Sequence, residues 1–344
     1  MKAFSFCIVG YCLAFASIIG YGRAMVQQEP IGLVLAGGGA RGAYEIGVWK
    51  AICELGLNKR IVAISGTSVG GINAAMFGSV RDPAQCERLW SETIGSAFVV
   101  NTNKVGGAIQ DWLNDLDKAL DDRVVKRRRS GAEAELEDFW GAAIDSGLMA
   151  LDKAAVAVSN SVSGTASASG ICDPSKLRAA LMRSLPAGAG GLFEASPRIY
   201  VTTLKKKNLE KVEFLLNGMY KWKAVECLMA TSALPVVFGS VNIDGDEYMD
   251  GGYEAKGGDN VPIGPIRESH PEVKMVIVVY LRSSDRIKRR LSSADFPKGR
   301  IVEIIPSRDI GGLLSVVDGS ELKSSELIGL GYQDAMVALK HINW

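Results

Sequence analysis

Two spacings of apolar residues alternate along this chain. A short apolar run, Ile31 to Ala36, ends in glycines and predicts a buried strand. Ala43 to Leu55 then follows helical spacing, carried by Ile46, Trp49, Ile52 and Cys53. Arg60 to Ile64 predicts a second strand, and Ile72 to Phe77 a helix after it. Strand, helix, strand, helix in that order predicts a parallel sheet with right-handed crossovers. Further on, Asp173 to Leu185 predicts a helix with Pro174 in its first turn. Pro197 to Leu204 and Lys211 to Leu216 predict strands, and Val225 to Ala233 a helix. Val241 to Ile243 and Glu247 to Met249 flank Asp244-Gly245, the signature of a tight hairpin. Val273 to Leu281 is the most apolar β-type run and predicts a central strand. Ile301 to Ile305 predicts another, and Leu322 to Lys340 a closing helix. There is no internal repeat.

Residues 97–170 break this rhythm. Val105, Ile109, Trp112, Leu113, Leu116 and Leu120 share one helical face. A second long face runs from Leu136 through Trp140 and Leu148 to Val158, and Lys126-Arg127-Arg128-Arg129 separates the two. Ser159 to Gly170 is rich in Ser, Gly and Ala and reads as a flexible connection. The segment is a helical insertion on an α/β core. Its faces either pack on that core or form a lid or membrane-docking element, with the basic run against an anionic surface.

The first 24 residues differ in kind. Lys2 precedes an apolar stretch from Ala3 to about Ile19, with no further charge before Arg23. Ala14-Phe15-Ala16 and Gly22-Arg23-Ala24 resemble small-residue cleavage sites. A cleaved secretory signal, an uncleaved anchor and a true start at Met25 all stay open. The first two place the protein outside the cytoplasm, as a periplasmic, secreted or membrane-associated chain. The third places it in the cytoplasm. Tyr11 before Cys12 and Phe6 before Cys7 are too bulky for a lipoprotein cleavage site. Residues 25–344 then form the folded domain.

Composition narrows the function classes. The 344 residues are 47% hydrophobic with a formal net charge of +1, which suits one large α/β domain or two small ones and gives no footprint for nucleic acid. Beyond the N-terminal segment the cysteines are Cys53, Cys86, Cys172 and Cys227, with no metal-ligand spacing. They read as small buried hydrophobes.

The chemistry sits in two glycine-marked turns. Gly37-Gly38-Gly39-Ala40-Arg41-Gly42 follows the first strand, and Gly66-Thr67-Ser68-Val69-Gly70 follows the second. The latter is a G-x-S-x-G elbow, a sharp strand-to-helix turn that exposes a serine hydroxyl, so Ser68 is the candidate nucleophile. Gly37, Gly38 and Gly39 can offer backbone N–H groups to an oxyanion, with the Val69 N–H as a further donor on the substrate side. Arg41 can orient this loop or contact an anionic head group. Gly37, Gly39 and Gly42 also match G-x-G-x-x-G, but the second strand ends in Ile64-Ser65-Gly66-Thr67-Ser68, without the acid a dinucleotide site needs.

The chain has two histidines, His270 and His341, neither in a glycine-marked motif. Asp250 does lie in one, Tyr248-Met249-Asp250-Gly251-Gly252-Tyr253. G-G-G-x-R-G, then G-T-S-x-G, then D-G-G resembles the patatin-like phospholipases over roughly residues 30 to 340. Ala230 to Phe238 also resembles a family segment beside the catalytic aspartate. The resemblance implies a three-layer α/β/α sandwich with a mainly parallel sheet. It implies a Ser–Asp dyad without histidine, here Ser68 and Asp250, and no metal or other cofactor. Its expected substrates are phospholipids, lysophospholipids or neutral lipid esters, met at a membrane surface. Two other readings stay open: a triad in the chain order Ser68, Asp250, His270, and a catalytically idle membrane-binding protein with the same fold.

Overall fold

The computed structural model describes residues 29–94, 174–186, 197–233, 239–253, 257–285, 287, 290–311 and 321–342. The N-terminal segment, read as a signal, an anchor or a stretch before a true start at Met25, and the predicted helical insertion at 97–170, with Trp112, Trp140 and the basic run, lie outside the described residues. Chain contacts gather the described residues from Pro30 onward into one unit. Among the described residues no helix is long and apolar enough to cross a membrane.

An eight-stranded sheet forms the middle layer. Its strands are β1 (Ile31–Leu35), β2 (Ile61–Thr67), β3 (Arg198–Lys205), β4 (Glu210–Leu215), β5 (Val241–Ile243), β6 (Asp246–Asp250), β7 (Met275–Val279) and β8 (Arg300–Ile304). The order β3-β2-β1-β7-β8 is parallel throughout. The strands β4, β5 and β6 add antiparallel pairings. The helices are α1 (Ala43–Glu54), α2 (Val69–Ser79), α3 (Pro83–Leu89), α4 (Pro174–Ser184), α5 (Lys221–Thr231), α6 (Gly264–Ser269) and α7 (Glu321–Leu339).

Both faces of the central strands β1 and β7 are covered, so these two are apolar without alternation. Ile31, Leu33, Leu35, Ile277 and Val279 pack on one side, in a core with residues of α1, α2, α4, α5 and α7. Val34, Ala36, Val276 and Val278 face the other side, with Ile266 of α6, Leu291 and Phe296. That is the three-layer α/β/α arrangement with a mainly parallel sheet expected from the sequence. The Asp244-Gly245 hairpin forms as expected, with φ of 52° and 93° at its two central residues.

Strand order reverses beside β1. From β1 the chain moves outward through β2 to β3, then resumes on the other flank with β7 and β8. Open α/β sheets bind ligands at the carboxyl ends of strands beside such a reversal. Both glycine-marked turns leave from there, one after β1 and one after β2.

Candidate active site

The register of β3 decides which residues meet. One edge of β3 carries β4, from Tyr200 to Lys205. A strand has two edges, so β2 and β6 must share the other. The first part of that edge pairs with β2, ending at Thr202 opposite Thr67. The next residue, Thr203, pairs with Asp250, the last residue of β6. The strand β2 runs with β3 and β6 against it, so their carboxyl ends meet head to head. This brings Ser68, one step past β2, against Asp250, close enough for its hydroxyl to help hold the carboxyl down.

Ser68 sits in a strained backbone, with φ of 56° and ψ of −128°. A positive φ on a non-glycine residue is uncommon and persists only where surrounding structure enforces it. Here the enforcement is close packing of the turn. A β-carbon on Gly66 would lie 2.2 Å from Gly70 O, and one on Gly70 would lie 2.4 Å from Leu35 O. Both glycines of the elbow are therefore sterically required. The Ser68 N–H donates to Thr231 Oγ1 at 2.9 Å, and Thr231 Oγ1 donates to Thr202 O at 2.5 Å.

Asp250 is 3% exposed. Burial pushes its carboxyl up from the ordinary aspartate range to about 6, against the opposing pull of hydrogen bonds from the Ser68 hydroxyl and the Gly252 N–H. The Gly252 N–H reaches Oδ1 at 2.7 Å. The D-G-G turn is fixed by its backbone: Asp250 N donates to Ala233 O at 3.0 Å, and Asp259 N to Gly251 O at 2.8 Å.

The glycine loop after β1 runs against the nucleophile, since a β-carbon on Gly37 would come within 3.1 Å of Ser68 Cβ. One expectation needs correction here. The Gly37 N–H is committed to Asn260 O at 3.2 Å, so it cannot serve an oxyanion. Among the described residues, the N–H groups of Gly38, Gly39 and Val69 make no hydrogen bond. They are the donors left to the site. Arg41 is 4% exposed, and it donates from Nε to Gly38 O and from Nη1 to Gly311 O, both at 3.2 Å. Of its two candidate roles, this geometry supports orientation of the loop.

His270 is not where a triad needs it. It precedes β7, whose amino end is level with the amino ends of β1 and β2, while Ser68 lies past their carboxyl ends. The sequence suggests a solvated loop, yet His270 is buried. Its Nε2 pairs with the Tyr200 hydroxyl at 3.1 Å and its Nδ1 with Glu272 Oε1 at 2.8 Å, so both ring nitrogens are engaged far from the serine. His341 is exposed past the end of α7.

Three residues support this arrangement, of which only Thr67 lies in a motif marked from the sequence. Thr231 caps the elbow from α5, and its only sequence signal is the family-like Ala230 to Phe238 segment. Thr67 Oγ1 donates to Asp259 O at 2.7 Å, and Asn260 Nδ2 reaches Gly37 O at 3.4 Å. The 259–260 segment therefore joins the elbow, the glycine loop and the D-G-G turn. A Thr231→Val variant keeps the shape but strands the Ser68 N–H and Thr202 O in a buried place. The expected cost is about 1–3 kcal/mol of stability, read as a lower melting temperature together with slower turnover. An unchanged melting temperature would remove Thr231 from the framework of the elbow.

Among the described residues there is no cluster of three or more candidate metal ligands. Cys86 and Cys227 are buried, and burial pushes both thiols up to about 12, which keeps them poor nucleophiles.

The family model for patatin-like phospholipase matches residues 33–266, more than half of the chain. The chain belongs to the patatin-like phospholipase family. That match takes in both glycine-marked turns and the D-G-G turn. Among its relatives, patatin-like phospholipase domain-containing protein 7 of Mus musculus is 37% identical over 75 residues. Neuropathy target esterase sws of Drosophila willistoni is 43% identical over 72 residues. These stretches cover 21% and 20% of this chain, and only 5% of either relative. Among solved structures, VipD of Legionella pneumophila is 16% identical with a TM-score of 0.46, covering 91% of this chain and 67% of that one.

Proposed function

We propose that this patatin-like protein is a lipid acyl-ester hydrolase of the phospholipase A or lysophospholipase type, working through Ser68 and Asp250. The observation that carries this reading is a strained serine set against a buried aspartate, beside three uncommitted backbone N–H groups.

In the cycle, Asp250 takes the Ser68 proton as Oγ attacks the ester carbonyl. The carbonyl oxygen becomes an oxyanion, held by the N–H groups of Gly38, Gly39 and Val69. Asp250 then passes the proton to the leaving alcohol, which departs and leaves an acyl-serine. A water gives its proton to Asp250 and attacks the acyl carbonyl. The second tetrahedral intermediate collapses, Ser68 recovers its proton, and the fatty acid leaves. An ordinary aspartate is a weaker base than histidine by about 2.6 pKa units. Burial closes most of that gap, because Asp250 titrates at about 6.

A pH dependence follows. Asp250 must be ionised to accept the proton, so kcat/KM on a soluble p-nitrophenyl ester is expected to rise with pH and level off above an inflection near 6. An inflection in the unperturbed carboxylate range, near 4, would mean that the base is a solvated acid and not Asp250.

The reading itself is tested with a fluorophosphonate probe and with phospholipid vesicles. The expected result is a covalent adduct mapped to Ser68 and release of free fatty acid. An idle membrane-binding protein with this fold would give neither. Head group, acyl position and chain length are then read from the products.

A further inference from the structure

Glu45 is a buried acid that the proposed cycle does not use. It is 0% exposed on α1, one turn after the glycine loop, and faces Asn73 of α2, which follows the nucleophile. Asn73 Nδ2 donates to Glu45 Oε2 at 2.7 Å and to Gly42 O at 3.1 Å. Gly42 ends the glycine loop. A carbonyl can only accept, so Gly42 O fixes which end of the Asn73 amide carries nitrogen. Two atoms of this pair are then left over, both buried and both without a partner: Glu45 Oε1 and Asn73 Oδ1. If Glu45 is a carboxylate, both are acceptors and neither can satisfy the other. One proton on Oε1 satisfies both at once.

We propose that Glu45 is a positioning residue held as a neutral carboxylic acid, its Oε1–H donating to Asn73 Oδ1 to complete a two-bond acid–amide ring. The ring joins α1 to α2 and, through Gly42 O, fixes the glycine loop against the serine helix. Burial pushes the Glu45 carboxyl well up, in agreement with this, and the Asn73 bond only partly offsets it. This inference rests on the reading of Ser68 and the Gly38–Gly39 loop as the reacting centre. A buried carboxylate would shift with every local charge, whereas a neutral ring keeps the distance between oxyanion donors and nucleophile independent of pH.

Infrared difference spectra of wild type against E45Q at pH 8 test the charge state directly, since Asp250 is ionised there. The expected result is a protonated-acid carbonyl band in wild type that E45Q lacks. A carboxylate band in its place would overturn the proposal. This arm needs no activity, so it stands apart from the failure of the hydrolase reading. For positioning, a primary amide at this position presents the same one donor and one acceptor to Asn73. E45Q is therefore expected to keep the wild-type kcat, while its second amide N–H, buried without a partner, lowers only the melting temperature. Glu45→Ala breaks the ring, and kcat on a soluble ester should fall by about 10²-fold, the cost of a 1 Å misplacement, with KM little changed. Loss of kcat in E45Q as deep as in E45A would overturn the role of a neutral ring.

Discussion

Ser68→Ala is expected to abolish ester hydrolysis and fluorophosphonate labelling while leaving the fold in place. Loss of a hydrolase nucleophile costs on the order of 10⁴–10⁶ in kcat. The fold should survive for a local reason. The elbow is imposed by the close approach of Gly66 to Gly70 and of Gly70 to Leu35, and by the Ser68 N–H bond to Thr231. None of these uses the serine hydroxyl. Alanine has the same β-carbon at the same positive φ, so the strain changes little. What is lost is the hydroxyl's interaction with Asp250, one of the two influences that hold its carboxyl down. The variant's Asp250 should therefore titrate above about 6. Hydrolysis of a p-nitrophenyl acyl ester within tenfold of wild type, by a variant whose circular dichroism is unchanged, would remove Ser68 from the mechanism.

How much of this is legible in the sequence depends on whether the signal is local. The elbow, the glycine loop and the Asp-Gly hairpin are each written in a few consecutive residues, because positive φ and close backbone approach demand particular side chains there. Apolar runs mark β1 and β7 for a related reason, since a strand covered on both faces has no polar positions to blur it. The pairing of Thr202 with Thr67 and of Thr203 with Asp250 is different. It is set by the sheet as a whole and leaves no mark on any short segment. The sequence therefore indicates Ser68 and Asp250 separately, one by its turn and one largely by family likeness, without a reason for their contact.

The discrepancies are also non-local. Gly37 belongs to the loop, but its N–H is used by Asn260, more than two hundred residues later. His270 reads as a solvated loop residue because polar neighbours surround it in sequence. It is buried because Tyr200 and Glu272 engage its two nitrogens. Helix α3 has no counterpart among the elements predicted from apolar spacing, although Asp82 caps it through a bond from Gln85 N at 2.7 Å and Pro83 opens it. Its apolar positions are too few to set up a periodic pattern.

Asp250→Asn is the second large effect expected, and it separates activity from stability. The amide keeps a carbonyl oxygen for the Gly252 N–H but cannot take a proton from Ser68. The expected loss in kcat is about 10²–10⁴-fold, the usual contribution of a general base, and the rise of rate with pH near 6 should vanish with it. Stability should move the other way. Asp250 titrates higher in the folded protein, at about 6, than an unfolded aspartate at about 3.9. The folded state therefore favours the protonated form, and the chain loses stability from this group as pH rises between those two values. At pH 8 the full penalty is present, roughly 3 kcal/mol at most. The neutral amide removes it, so the variant should melt at or above the wild-type temperature at pH 8 and lose that advantage near pH 4. An Asn–Gly step is prone to deamidation back to aspartate, so Asp250→Ala is measured beside it. His270→Ala should stay close to wild type in kcat, because that ring lies at the other end of the sheet. A loss beyond a hundredfold in His270→Ala, with Asp250→Asn mild, would replace the dyad with a histidine base.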